Sequence, residues 1–133
     1  MIYIIDTFAW IEYFNGSDNG LLLKKLLSNI NNKLITLECC MSELFGYCLR
    51  NNLDFDKVQS IVKRDSVILP VLIDQWLNAA RIRFETRKKI NNFGLIDSIL
   101  LAKQSELKCL IVTGDPHFKG MKNVVFLSQK VKV

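Results

Sequence analysis

The chain has 133 residues, 50% of them hydrophobic, with only 6 Gly and 2 Pro. This length is enough for one hydrophobic core but not for two, so we predict a single domain over residues 1–133. Its longest central apolar run, Val67–Ile73, falls far short of the roughly 20 residues of a membrane helix, and the first residues lack the basic segment of a signal peptide, so we expect a cytoplasmic protein. Eighteen basic residues against thirteen acidic ones give a net charge of +5, which favours a polyanionic partner.

Short apolar runs rich in β-branched residues alternate with longer segments of helical period. This pattern predicts an α/β fold with a parallel sheet. The candidate strands are Ile2–Ile5, Lys33–Leu37, Ser66–Leu69, Cys109–Thr113 and Asn123–Leu127. The candidate helices are Phe8–Phe14, a segment after Asp18, a segment opened by Ser42 or a neighbour, a segment capped by Asp54 and ending at Lys63, Asp74–Ile90, and Ile96–Glu106. In the second helix, helical spacing assigns five residues to the core: Leu22, Leu23, Leu26, Leu27 and Ile30.

Neither the cysteines nor the basic residues by themselves indicate a site. The four cysteines form no CxxC pair and the chain has one histidine, so a zinc site is not indicated and reduced core thiols are expected. Basic residues are dense between Arg81 and Lys89, and further lysines follow near the end of the chain, at positions 119, 122, 130 and 132. From charge alone, a solvated helix face is the preferred interpretation over an RNA-binding face.

Four acidic residues are predicted to meet at one edge of the sheet. Asp6 follows the first strand and Asp115 follows the fourth, while Glu43 and Asp97 stand near the starts of helices that follow strands. In open parallel sheets, ligands bind at the carboxyl ends of the strands, where the strand order reverses. Taken singly, each acid is explained by an ordinary role as a helix cap, a first-turn residue or a turn residue. Together, close carboxylates without a Lys or Arg nearby in the sequence indicate a bound cation.

The types of ligand indicate which cation this is. Carboxylates without Cys or several His bind hard ions, so we expect Mg²⁺ or Mn²⁺ and not zinc or copper. Such a site is suited to the hydrolysis of phosphodiester bonds. Because carboxylates held close together in the folded, metal-free chain repel one another, at least one of them is expected to have a raised pKa.

Four segments that contain these acids resemble the PIN family, and the similarity is greatest to VapC-type toxins. In chain order they read IIDTFAWIEYF around Asp6, SELF around Glu43, LIDSILLA around Asp97 and IVTGDPHF around Asp115. The resemblance implies one PIN-like domain with a five-stranded parallel sheet flanked by helices, and metal-dependent endonucleolytic cleavage of RNA. It also implies a VapB-type antitoxin that covers the acidic groove, and a homodimer.

Residue by residue, the resemblance assigns roles to the four acids. Asp6, Asp97 and Asp115 resemble the metal-binding aspartates of the family, and Glu43 resembles its acidic residue on the helix after the second strand. Glu38, at the end of a predicted strand, is the alternative to Glu43, although its surroundings resemble the motif less well.

Further positions match or depart from the family pattern. Thr7 and Thr113 match hydroxyl positions that support the carboxylates. Some relatives carry another acid shortly after the last aspartate, where this chain has Pro-His-Phe-Lys, which argues against a tightly held second metal. His117 is interpreted as a turn residue and not as a catalytic base. The residues expected to bind the RNA backbone are Arg50, Arg81, Arg87, Lys88 and Lys89.

Other functions that use acids at a sheet edge require residues that this chain lacks. A phosphatase of the haloacid-dehalogenase type needs a second aspartate two residues after the first, where this chain has Phe8. A receiver domain needs neighbouring acids after the first strand and an aspartate at the end of the third, which here ends at Leu69-Pro70. A housekeeping PIN-domain nuclease and a non-cleaving PIN-like RNA- or protein-binding module remain open at this point.

Overall fold

The structure is a computed structural model that describes residues 1–127, so Lys130 and Lys132 lie outside the described residues. The strands are β1 (Ile2–Ile5), β2 (Lys33–Leu37), β3 (Val67–Leu69), β4 (Leu110–Thr113) and β5 (Val124–Phe126). They form one sheet in the order β3-β2-β1-β4-β5, and every neighbouring pair is parallel. The predicted five-stranded parallel sheet is therefore confirmed.

Helices connect the strands and cover both faces of the sheet. They are α1 (Thr7–Phe14), α2 (Asp18–Ser28), α3 (Glu38–Arg50), α4 (Phe55–Asp65), α5 (Ile73–Thr86) and α6 (Leu95–Leu107), and a short 3-10 helix, Pro116–Phe118, follows β4. Among the described residues, no helix has the length and apolar character needed to cross a membrane.

The sheet separates two hydrophobic layers because successive side chains of a strand point to opposite faces. In β1, Tyr3 and Ile5 pack into the layer formed with α1 to α4, whereas Ile4 packs into the layer formed with α5 and α6. Ile4 and Ile5 are both fully buried, as expected for a central parallel strand covered on both faces. The four cysteines are free, and all but Cys39 are buried.

The predicted start of α3 at Ser42 or a neighbour is too late, because α3 begins at Glu38, directly after β2. Leu37 is the N-cap residue and makes no side-chain capping hydrogen bond, so the usual signal of a helix start is missing from the sequence. As a result, Glu43 lies in the second turn of α3 and not near its start.

The prediction that one helix extends to Ile90 is also wrong, since α5 ends at Thr86. The backbone N–H of Lys88 donates to Glu85 and that of Lys89 donates to Thr86, which is the i to i−3 pattern of a tight turn. This turn leads into the loop 91–94 that precedes α6.

Two of the residues assigned to the core of α2 are exposed. Ile30 is 95% exposed because α2 ends at Ser28, and Leu22 is 37% exposed. The orientation of α2 is set at Gly20, where an added Cβ would lie 2.8 Å from the Cα of Tyr13 in α1. This close approach of the two backbones turns Gly20 and Leu23 inward and leaves Leu22 at the edge.

Candidate metal centre

The four predicted acids stand at the edge of the sheet where the strand order reverses. From β1 the chain proceeds outward through β2 to β3 and then returns to β4 on the other side of β1. Asp6 directly follows β1, and its backbone N–H donates to the carbonyl oxygen of Val112 in β4 (3.0 Å). Asp115 comes two residues after the end of β4. The central pair of parallel strands thus brings Asp6 and Asp115 to the same rim.

Asp6 is the most deeply buried of the four acids, with 6% of its surface exposed. Its Oδ1 accepts the backbone N–H of Thr7 (2.8 Å), and its Oδ2 accepts the hydroxyl of Thr113 (2.7 Å). Burial raises the pKa of Asp6 from 3.8 to about 7, and the charges of Glu43 and Asp97 add to the rise, although both hydrogen bonds oppose it. The expected rise in a carboxylate pKa is confirmed, but burial contributes more to it than repulsion does.

Glu43 on α3 is tied to the same group by Thr7. The Thr7 hydroxyl donates to Oε1 of Glu43 (2.7 Å), while the Thr7 backbone N–H donates to Asp6, so one residue orients two carboxylates. Partial burial raises the pKa of the Glu43 carboxyl, and the charges of Asp97 and Asp115 raise it further. These electrostatic effects join the four acids into one negatively charged neighbourhood.

A second group of ligand atoms consists of Asp97, Asp115 and His117, which lie within 4.8 Å of one another. Asp97 is in the first turn of α6, and its Oδ2 accepts the backbone N–H of Gly94 (3.2 Å). The backbone N–H of His117 donates to Oδ1 of Asp115 (2.9 Å) within the 3-10 helix. His117 is therefore a turn residue, as predicted, but its ring also enters the acidic group.

Cys40 is a member of the acidic group that sequence reasoning missed. Its thiol lies with the carboxylates of Asp6 and Glu43, all within 4.8 Å of one another. Because Cys40 and Glu43 are three residues apart, they share one face of α3, and this signal required the correct start of the helix. The alternative acid, Glu38, accepts the backbone N–H of Val71 (2.8 Å) and belongs to neither group of ligand atoms.

The five predicted RNA-binding residues have different surroundings. Arg87 donates from Nε to the carbonyl oxygen of Phe93 (2.8 Å), so it holds the loop before α6, a structural contact that sequence reasoning missed. Lys88 pairs with Glu85 (3.1 Å). The Arg50 guanidinium lies beside Gly46 on α3. Arg81 and Lys89 are exposed.

The donor set fits a hard divalent cation. It consists mainly of carboxylate oxygens, which Mg²⁺ and Mn²⁺ accept as ligands. Within residues 1–127, no lysine or arginine forms an ion pair with Asp6, Glu43, Asp97 or Asp115. The negative charge of this partly buried group is therefore not balanced by a lysine or arginine, and a bound cation would supply positive charge.

Comparisons with solved structures identify the same fold in several toxin proteins. A toxin–antitoxin complex from Klebsiella pneumoniae contains a chain with a TM-score of 0.73 and 17% identity, covering 96% of this chain and 99% of that one. A chain of VapBC2 from Rickettsia felis, bound to a promoter DNA fragment, has a TM-score of 0.69 and 20% identity. The match covers 95% of this chain and 97% of that one. VapC20 from Mycobacterium tuberculosis, described as a sarcin–ricin loop cleaving toxin, has a TM-score of 0.73 and 15% identity. The match covers 95% of this chain and 99% of that one.

The comparison at the level of sequence families is more direct. No curated protein matches the sequence. The family model for the PIN domain matches residues 3–124, a range that contains all four acids of the site. Since this match extends over nearly the whole sequence, the chain belongs to the PIN-domain family.

Proposed function

We propose that this protein is a metal-dependent endoribonuclease that hydrolyses RNA phosphodiester bonds, and that it is the toxin of a VapBC-type pair. The observation that carries the proposal is the convergence of Asp6, Glu43, Asp97 and Asp115 at the point where the strand order reverses. Within the described residues these four acids have no Lys or Arg ion pair, as a site built for a cation requires. The ion proposed is Mg²⁺ or Mn²⁺.

The four carboxylates would hold the ion, and two threonines orient two of them, Asp6 and Glu43. When bound, such an ion stabilises negative charge on phosphoryl oxygens and favours ionisation of an attacking water. Thr113 holds Asp6 and Thr7 holds Glu43 through hydroxyl hydrogen bonds of 2.7 Å each. Because these carboxylates are oriented before substrate arrives, little reorganisation is needed during the reaction. The products proposed are fragments with a 5′-phosphate and a 3′-hydroxyl.

The RNA backbone would be bound beside the acidic group by the basic turn that follows α5, residues 87–89. Arg87 connects this turn to Phe93, which immediately precedes Gly94 and the helix that carries Asp97. Exposed Lys88 and Lys89 thus lie in the segment that leads from α5 to the helix carrying Asp97. Contacts of this kind contribute affinity for phosphates without reading the base sequence. Arg50 and Arg81 are proposed to extend this surface.

A VapB-type antitoxin and a second copy of the chain are the proposed protein partners. Two of the similar solved structures are toxin–antitoxin complexes, which supports an antitoxin partner. We propose that it covers the acidic groove. An adjacent small reading frame for a DNA-binding protein, whose product restores growth of cells expressing this chain, would support the toxin role. Growth inhibition without any such partner would favour a housekeeping nuclease. Light scattering of the purified chain measures whether it is a dimer.

The enzymatic proposal is tested with purified protein and RNA, with Mg²⁺ or Mn²⁺ and with EDTA. Cleavage is expected only with the metal, and sequencing that requires a 5′-phosphate identifies the ends. Asp97→Asn is expected to abolish cleavage, because it removes one charged ligand while its amide oxygen can still accept the Gly94 N–H. Asp18→Asn, at an exposed position in α2, is the matched control and should cleave normally. Cyclic 2′,3′-phosphate ends formed in EDTA would refute the mechanism, and RNA binding without cleavage would indicate a non-cleaving module.

A further inference from the structure

The imidazole of His117 is held between the acidic group and the loop before α6. Its Nδ1 lies 3.1 Å from Oδ2 of Asp97 and 3.7 Å from Oδ1 of Asp115. On the other side of the ring, Nε2 lies 3.1 Å from Oδ1 of Asn92. The buried ring of Phe93 packs against the imidazole with the ring centroids 5.9 Å apart. The ring therefore has one orientation, with Nδ1 directed toward the two carboxylates.

The contact with Asn92 is compatible with the tautomer that a metal ligand requires. When Nε2 carries the ring hydrogen, it donates to the amide oxygen of Asn92, and Nδ1 is left with a lone pair. Nδ1, Oδ2 of Asp97 and Oδ1 of Asp115 are then three electron-pair donors that face one another. A cation between them would take the place of the hydrogen that Nδ1 would otherwise donate to Asp97.

The separation of Nδ1 from Oδ2 of Asp97 suits adjacent ligands of one ion, whereas the 3.7 Å from Nδ1 to Oδ1 of Asp115 requires a wider angle at the ion. Two ligands at 90° around an ion, each at about 2.1 Å, are about 3 Å apart, and the distance from Nδ1 to Asp97 is 3.1 Å. A histidine that binds a metal through one nitrogen commonly donates its other N–H to an oxygen acceptor, which is the arrangement that Asn92 supplies. We propose that His117 is a direct ligand, through Nδ1, of the cation held by Asp97 and Asp115. This inference rests on the proposed metal-dependent function.

A nitrogen ligand changes which ion the site prefers. An imidazole binds first-row transition ions, whereas Mg²⁺ favours oxygen ligands. His117 therefore shifts the selectivity of the site toward Mn²⁺ over Mg²⁺, a distinction that the four carboxylates alone do not make.

The test measures the ligand directly and needs no RNA. His117 is the only histidine, so the untagged full-length chain offers a single possible imidazole ligand. Mn²⁺ is added to the metal-free protein, and electron spin-echo modulation is recorded. The expected result is modulation from a coordinated ¹⁴N nucleus, replaced by the ¹⁵N pattern when the protein is labelled with ¹⁵N-histidine. Since no residue is substituted, the fold is not altered.

The possible failures are distinguishable. Mn²⁺ that binds without nitrogen modulation would overturn the role of His117 as a ligand and leave the proposed nuclease function intact. A protein that binds no Mn²⁺ at all would overturn both.

Substitutions provide a second, independent measurement of selectivity. His117→Gln is expected to weaken Mn²⁺ binding about tenfold or more and Mg²⁺ binding much less, as measured by calorimetry. Asn92→Ala should weaken Mn²⁺ binding in the same direction, because the ring loses its N–H acceptor, and Asn91→Ala is the matched control at an exposed neighbouring position. An equal loss of affinity for both ions in His117→Gln would contradict the proposal, since a residue that only positions Asp97 would not discriminate between them.

Discussion

Replacement of Asp6 by Asn is expected to stabilise the metal-free protein at neutral pH and to leave its stability nearly unchanged near pH 4. Asn has almost the same shape as Asp and no charge. Its amide oxygen can still accept the Thr7 N–H, and its amide nitrogen can donate to the Thr113 hydroxyl oxygen, so both contacts of Asp6 have a replacement. The main change is that an ionised carboxylate is no longer buried.

The size of the effect follows from the pKa of Asp6. An acid with a higher pKa in the folded chain holds its proton more tightly there than in the unfolded chain, so its protonation favours folding. This contribution to the free energy of unfolding is complete below pH 3.8 and is lost as the pH rises to about 7. At 1.36 kcal/mol per pKa unit, the rise from 3.8 to about 7 corresponds to about 4 kcal/mol. At pH 8 in EDTA, Asp6→Asn should therefore exceed the wild type in free energy of unfolding by up to about 4 kcal/mol.

The assay is urea-induced unfolding at several pH values between 4 and 8, with EDTA present throughout. The difference between variant and wild type isolates Asp6 from Glu43 and the other titrating groups. Asp18→Asn, at an exposed position in the first turn of α2, is the control and should change stability by less than about 1 kcal/mol at every pH. A difference between Asp6→Asn and wild type that does not vary with pH would refute the reasoning, because it would show that burial does not raise the pKa of Asp6.

Three further perturbations probe the metal, the RNA and the packing. Mn²⁺ should raise the melting temperature of the wild type and have little effect on that of Asp97→Asn, since an ion that binds only the folded state stabilises it. Equal shifts in both proteins would contradict the role of Asp97 as a ligand of the ion. Replacing Lys88 and Lys89 by Glu should weaken RNA binding, while Arg87 is retained for its structural contact. The slope of log K against log salt concentration should decrease in magnitude by about 0.7 for each lost contact with a single strand, as measured by filter binding at several salt concentrations. Gly20→Ala should destabilise the fold by about 1–3 kcal/mol in urea unfolding, because the added Cβ would lie 2.8 Å from a Cα of α1.

The sequence by itself determined the sheet and the position of the site on it. Strands buried on both faces appear as short apolar runs, and Ile2–Ile5 and Lys33–Leu37 match the observed strands to the residue. Because a carboxylate within two residues of the end of a strand in a parallel sheet lies at the sheet's carboxyl edge, the sequence places Asp6 and Asp115 together. A raised carboxylate pKa was predicted from repulsion, whereas burial is the main cause of the rise at Asp6.

Only the tertiary structure decided which other groups meet these aspartates. The start of α3 at Glu38 has no side-chain capping signal in the sequence, and it is this start that brings Cys40 beside Glu43 and directs Glu38 to the backbone of Val71. The placement of His117 between Asp97 and Asn92, like the bond from Arg87 to Phe93, joins separate elements of the fold. Periodicity and capping patterns report on neighbours along the chain, whereas contacts between distant residues depend on how the helices pack against the sheet, which local patterns do not encode.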